Sequence, residues 1–175
     1  MSAAPIFALL LLFSAADVEG PKLAPIYPTP QTIVERMLEL GRLRAGEKMC
    51  DLGSGDGRIV ILAAQKFHAN ATGIEIDDDL HRRSSESIRK LGLSKTARIV
   101  HGDLLKQRYN SYDLVTVYLE QSSNDVIQPL LERELKPGAR VVSHNYEFRG
   151  WRATKMETIP DESTGENHTI FLYER

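Results

Sequence analysis

The stretch Asp51-Leu52-Gly53-Ser54-Gly55-Asp56-Gly57-Arg58 carries the most specific chemistry in the chain. Glycines at every second position let a backbone turn sharply and lie close against a ligand. The spacing is G-x-G-x-G, which differs from the G-x-G-x-x-G loop that cradles a pyrophosphate. Asp51 and Asp56 would repel a pyrophosphate, whereas they suit a ligand bearing an amino group and a sulfonium. Glu75, in Gly73-Ile74-Glu75-Ile76-Asp77, can accept hydrogen bonds from both hydroxyls of a ribose. Asp103, in His101-Gly102-Asp103-Leu104, can accept from the exocyclic amine of adenine. Ser54, Ile76 and Leu104 flank these positions and are expected to line the same site. S-adenosylmethionine meets these demands better than NAD does, and the chemistry it brings is methyl transfer.

Taken singly, each residue has a plainer reading. A glycine loop can be only a turn, Glu75 a surface carboxylate and Asp103 a helix cap. The combination is more informative, because each falls at the end of an expected strand, in chain order. Downstream, Tyr118 and Glu120 are candidates to line a methyl-transfer channel, with Tyr146 beside them. Glu120 could attract an ammonium, or be an ordinary carboxylate at a helix start. His144 and Trp151 fall near the same rim and read as packing residues. The five histidines show no ligand-like spacing, so no metal site is expected.

The elements that must position these residues alternate. A helix is expected from Gln31, where Ile33, Val34, Met37, Leu38, Leu40 and Leu43 recur at helical spacing. Thr29 before Pro30 suits a cap followed by proline at the first helical position. Strands are expected at Lys48–Leu52, Ala71–Ile76, Ala97–His101, Tyr112–Leu119 and Ala139–His144. Helices are expected at Gly57–Phe67, Asp78–Leu91 and Asn124–Leu135. A closing hairpin, Ala153–Ile159 and Thr169–Tyr173, follows. This pattern predicts a doubly wound α/β domain over 31–175, with a mainly parallel seven-stranded sheet and a C-terminal antiparallel hairpin.

The chain has 175 residues and a formal net charge of −2, so no basic field points to nucleic acid. Its one cysteine, Cys50, lies in an apolar strand and reads as core. Residues 1–16 carry no charged side chain, and Ile6 to Phe13 is apolar. That segment reads as an export signal or a membrane tether, which would make the domain exported, periplasmic or membrane-associated; a cytoplasmic location is the alternative. Residues 17–30 read as a proline-rich linker. The sequence sets no oligomeric state.

The chain resembles the class I S-adenosylmethionine-dependent methyltransferases. It is most similar to small bacterial members that carry Tyr27-Pro28-Thr29-Pro30, Asp51 to Arg58, and Val141-Val142-Ser143-His144. Those proteins are related to mitochondrial protein-lysine methyltransferases, with a distant likeness to the non-SET histone-lysine methyltransferases. The resemblance implies that Asp51, Gly53, Gly55 and Gly57 hold the methionine end of the cofactor, Glu75 the ribose and Asp103 the adenine. It also implies that the Tyr27–Pro30 part of the linker folds over the cofactor, with Thr29 near the methionine part. Leu119-Glu120-Gln121 departs from the Leu-Leu-Pro or Val-Pro of close relatives. The expected activity is protein-lysine N-methylation, with a protein as substrate. Methylation of a small molecule or another side chain, and a non-catalytic cofactor-binding role, stay open.

Overall fold

The structure, a computed structural model, describes residues 27–161 and 164–175. The expected leader (1–16) and residues 17–26 of the expected linker lie outside the described residues. Among the described residues, no helix is long and apolar enough to cross a membrane.

The elements alternate as the sequence predicts. They run α1 (Gln31–Leu40), β1 (Lys48–Leu52), α2 (Arg58–Lys66), β2 (Asn70–Glu75), α3 (Asp78–Lys90) and β3 (Ala97–His101). A 3₁₀ turn at Leu104–Lys106 follows, then β4 (Leu114–Val117), α4 (Gln121–Glu134), β5 (Arg140–His144), β6 (Lys155–Pro160) and β7 (Asn167–Glu174). The strands form one seven-stranded sheet in the order β3-β2-β1-β4-β5-β7-β6. Strands β1 to β5 are parallel, and β7 runs antiparallel between β5 and β6. This is the doubly wound architecture expected from the alternation.

Burial decides which hairpin strand lies inside. Strand β7 buries His168, Ile170, Leu172 and Tyr173, so it is covered on both edges. Strand β6 is exposed or half-exposed throughout and carries Lys155, Glu157 and a terminal Pro160, residues that suit a sheet edge.

Two cores flank the sheet. Alternate strand residues feed opposite faces, as the period of two requires. Met49, Leu114 and Val142 join α1, α2 and α3 on one side. Cys50, Val115, Val117 and Val141 join α4, Tyr109 and Phe148 on the other. Cys50 is fully buried, and burial together with the Asp51 charge pushes its thiol up, which fits a core residue rather than a nucleophile.

Most element ends shift by one or two residues, and three departures from expectation bear on the site. Strand β4 stops at Val117, the partner of Leu52 at the end of β1, and Tyr118 and Leu119 leave the ladder. Helix α4 begins earlier, at Gln121, because the Glu120 carbonyl already accepts the N–H groups of Ser123 and Asn124, each at 3.0 Å. Thr29 does not cap α1. Pro30 occupies that position, its carbonyl accepting from Ile33 and Val34 at 3.0 Å, and the Thr29 hydroxyl turns to His144 instead.

Candidate active site

Strand order reverses between β1 and β4, and open α/β sheets bind ligands outside the carboxyl ends of strands at such a point. The glycine loop sits there. The N–H groups of Gly53 and Ser54 both donate to the Ile74 carbonyl, at 3.0 and 2.9 Å, which pins the loop to the end of β2. Gly53 and Gly55 adopt φ of +72° and +54°, a region that glycine enters without strain. The close approach also needs Gly73: a Cβ there would lie 2.5 Å from the Ser54 side chain.

Thr29, Asp51, Gly53, Ser54, Gly55, Asp56, Glu75, Ile76, Asp103, Leu104 and Tyr118 all line one cavity of about 550 Å³. That volume lies within the usual range for small-molecule sites. Three of the sequence-predicted residues are not among the lining residues: Gly57, Glu120 and Tyr146, the last of which is exposed. Gly57 is the left-handed residue that starts α2, and a Cβ there would press on Ser84 at 3.1 Å; its smallness serves helix packing. Glu120 is exposed at the start of α4 and is not among the lining residues.

The walls also include residues the sequence reading did not single out: Arg58, Asp77, Leu80 and Arg83 among them. Leu80 and Arg83 share a face of α3 at a spacing of three, so helical phase starting from the Asp77 cap could have found them.

The lining carboxylates have distinct partners. Glu75 accepts from the Gly55 N–H at 2.7 Å on one oxygen and from the Asp77 N–H at 2.9 Å on the other. Each oxygen keeps a further lone pair, so bidentate acceptance from two hydroxyls stays open. Asp103 caps the 3₁₀ turn through Leu105 N–H at 2.8 Å on one oxygen, and its second oxygen faces the exposed Lys106 ammonium, 3.9 Å away, so it can still accept from a ligand. Burial would raise the Asp56 carboxyl, but hydrogen bonds and charge from Arg58 carry it below the usual carboxylate range. Arg58 also donates to the Thr29 carbonyl at 2.7 Å, and so clamps the 27–30 segment over the loop.

Asp51 differs from both. It is almost fully buried and receives one hydrogen bond, from the Thr116 hydroxyl at 2.7 Å. Burial, and then the charges of Glu75 and Asp56, push its carboxyl up to about 7. A buried carboxylate beside two others calls for a cation. The Ser54 hydroxyl is buried without a partner in the same wall. An uncompensated acid, an unpartnered hydroxyl and spare Glu75 lone pairs together fit a ligand with an ammonium, a sulfonium and a ribose.

At the other end, beyond β4, the lining turns aromatic. The Tyr118 ring lies against the His144 ring with centroids 3.9 Å apart. Tyr27, at the mouth, is 68% exposed.

Four of the five histidines, which look scattered in the sequence, pair in space. His144 meets His168, and His81 stacks on His101 with centroids 5.1 Å apart. Asp78, His81 and His101 bring ligand atoms within 4.8 Å of one another, a grouping of the kind that can hold a metal ion and that linear spacing did not show. Its aspartate is exposed, and it lies outside the cavity lining.

The sequence profile of the ANTKMT methyltransferase domain matches residues 51–155. The chain belongs to this methyltransferase family. It is 42% identical over 150 residues to a protein-lysine N-methyltransferase of Saccharolobus islandicus (strain REY15A), covering 85% of this chain and 92% of the relative. It is 37% identical over 119 residues to the adenine nucleotide translocase lysine N-methyltransferase of Mus musculus, covering 68% of this chain but only 52% of that protein. Among solved structures, an RNA methyltransferase from Salinibacter ruber, in complex with S-adenosyl-L-homocysteine, superposes with a TM-score of 0.77 at 36% identity. That match covers 85% of this chain and 93% of the other. This member of the ANTKMT family is a methyltransferase that uses S-adenosylmethionine. Family membership agrees with the resemblance read from the loop and the Val-Val-Ser-His run.

Proposed function

We propose that this ANTKMT-family methyltransferase transfers the methyl group of S-adenosylmethionine to a lysine side chain of a protein. The observation that carries the reading is the likeness to the archaeal protein-lysine enzyme, which spans nearly the whole of both chains. In this reading Asp51 and the backbone of Gly53 to Gly55 hold the methionine end, Glu75 the ribose, and Asp103 with Leu104 the adenine.

When bound, the cofactor supplies a methyl group activated on a sulfonium. The chain supplies position. In-line transfer needs the acceptor nitrogen about 3 Å from the methyl, and correct placement alone removes several kcal/mol of barrier. A lysine must arrive as a neutral amine. The aromatic end of the cavity, with Tyr118 and Tyr27, is a low-dielectric approach that depresses an ammonium pKa without a dedicated base. Asp51 and Glu75 stay at the cofactor end.

A second reading, RNA methylation, draws on the Salinibacter structure. The net charge of −2 counts against it, because RNA binding rests first on Lys and Arg meeting phosphates. The discriminating experiment supplies methyl-labelled S-adenosylmethionine with either a lysine-containing polypeptide or total RNA. We expect label in the polypeptide, recovered as ε-N-methyllysine after hydrolysis. Label in RNA alone would overturn the proposal.

A further inference from the structure

From Thr29 in the cavity lining, beneath its aromatic end, a buried polar chain runs away from the acidic residues Asp51, Glu75 and Asp103. The Thr29 hydroxyl lies 3.4 Å from Nδ1 of His144. Nε2 of His144 lies 2.9 Å from Nδ1 of His168. Nε2 of His168 faces the Asp161 carboxylate at 3.9 Å. The four side chains come from the segment before α1, the end of β5, the start of β7 and the turn after β6, and all four are buried.

With both imidazoles neutral, hydrogen-bond arithmetic gives this chain one direction. A neutral imidazole has one N–H and one lone pair. The Asp161 carboxylate, whose nearer oxygen also accepts from the Thr164 hydroxyl at 3.0 Å, stands 3.9 Å from Nε2 of His168, and its charge favours a proton on that nitrogen. Nδ1 of His168 is then a lone pair, so Nε2 of His144 must carry the proton that bridges the two rings. Nδ1 of His144 is left as an acceptor, and the Thr29 hydroxyl, its neighbour, donates to it. Thr29 therefore turns its proton away from the cavity it lines and leaves oxygen lone pairs on the cavity side. Burial pushes His144 down to about 3, so it stays neutral at ordinary pH. The same His144 ring supports the Tyr118 ring.

We propose that His144 and His168 are positioning residues for methyl transfer: the pair, oriented by Asp161, fixes the Thr29 hydroxyl and the Tyr118 ring where the acceptor amine meets the cofactor. The placement follows from strand order. Glu75 ends β2 and Asp103 follows β3 on one side of β1, whereas Tyr118 follows β4 and His144 ends β5 on the other. The proposal rests on the amine-acceptor reading above for its substrate, but its geometry is testable without any acceptor.

The first measurement is the tautomer state of the wild-type protein by long-range nitrogen–proton NMR of labelled histidine. We expect His144 protonated on Nε2 and bare on Nδ1; a proton on Nδ1 of His144 overturns the proposal. The second compares His168→Leu with His168→Gln, using polylysine as acceptor. The leucine variant should lower kcat about tenfold, the order expected for a small misplacement. Its Kd for S-adenosylmethionine, by calorimetry, should stay within about twofold, since the acidic contacts Asp51, Glu75 and Asp103 belong to other segments and Thr29 is shifted rather than removed. The glutamine variant, whose amide oxygen can accept from Nε2 of His144, should recover most of the rate. Equal loss in both variants, or affinity falling in step with rate, overturns the proposal. If the wild-type protein does not methylate polylysine, the amine reading fails, and the tautomer spectrum still decides the pair.

Discussion

The two ends of the cavity are built by different means. At the end formed by β1, β2 and β3, polar groups lie on short contiguous motifs and are held by backbone N–H groups: Gly55 and Asp77 hold Glu75, and Leu105 holds Asp103. At the end formed by β4, β5 and β7, the side chains come from segments far apart in sequence. Thr29 and His144 are separated by 115 residues, and His144 and His168 by 24. The first end is acidic and the second aromatic and neutral, a division that matches a cationic ligand at one and an uncharged nucleophile at the other. Changes at the first end should therefore move cofactor affinity, and changes at the second should move rate.

Glu75→Ala tests the first end most severely. It removes the expected ribose contact and also the acceptor that holds Gly55 and Asp77. We expect S-adenosylmethionine affinity to fall by about 1–3 kcal/mol, since charged hydrogen bonds of this kind are among the stronger ones. Calorimetry checks this. Unchanged affinity would remove Glu75 from the site and erase the contrast between the two ends.

Gly73→Ala is next, and it separates architecture from chemistry. The added Cβ would lie 2.5 Å from Ser54 and 2.7 Å from Ile99, inside a wall with little room to yield. Overpacking of this kind costs about 1–3 kcal/mol of stability. A denaturant midpoint should fall accordingly, and cofactor affinity should fall with it because the glycine loop must shift. The histidine tautomers at the far end should not change.

The first end is also the more legible in the sequence, and the physical reason is contiguity. A loop whose glycines, acids and flanking strand lie within a few residues displays its chemistry in a linear string. So does each strand-end acid, because strand and acid are adjacent. The mainly parallel sheet and its antiparallel hairpin followed from alternation and the closing strands. The second end is assembled by topology, and pairing depends on strand order rather than on spacing. His144 therefore read as packing, and nothing in the string joins it to His168 or Asp161. Gly57 shows what contiguity does not reveal: it shares the motif of the loop, and its missing side chain also makes room for Ser84 of α3.

A pH dependence sharpens the electrostatic side of the contrast. The folded-state pKa of Asp51, about 7, stands well above that of a free aspartate. A raised carboxyl favours the protonated folded form, so its stabilising effect is complete below the unfolded value and is lost as pH rises through about 7. A cationic ligand reverses that preference, so binding should release a proton from Asp51. Affinity for S-adenosylmethionine should then rise about tenfold between pH 6 and pH 8, one decade for each unit below the pKa. Asp51→Asn should flatten that rise, and it should make the ligand-free protein more stable above pH 7. A flat wild-type profile would show that Asp51 does not meet the cation.

The smallest expected effect is at Glu120. As a linear neighbour of Tyr118 it looks like an electrostatic attractor for an ammonium. The fold instead places it exposed at the first turn of α4, outside the cavity lining, where its backbone carbonyl rather than its carboxylate starts the helix. Replacing an exposed carboxylate that makes no side-chain cap should change stability by less than about 0.5 kcal/mol. Glu120→Gln should therefore leave both the melting temperature and the cofactor Kd close to wild type. Its informative readout is KM for a cationic polypeptide at low and high salt. A rise in KM only at low salt would assign Glu120 to long-range attraction of the acceptor, which is screened within about 10 Å at 0.1 M ionic strength. A fall in kcat instead would mean that the α4 start closes over the aromatic end when the acceptor binds, and would bring Glu120 into the same unit as Tyr118 and His144.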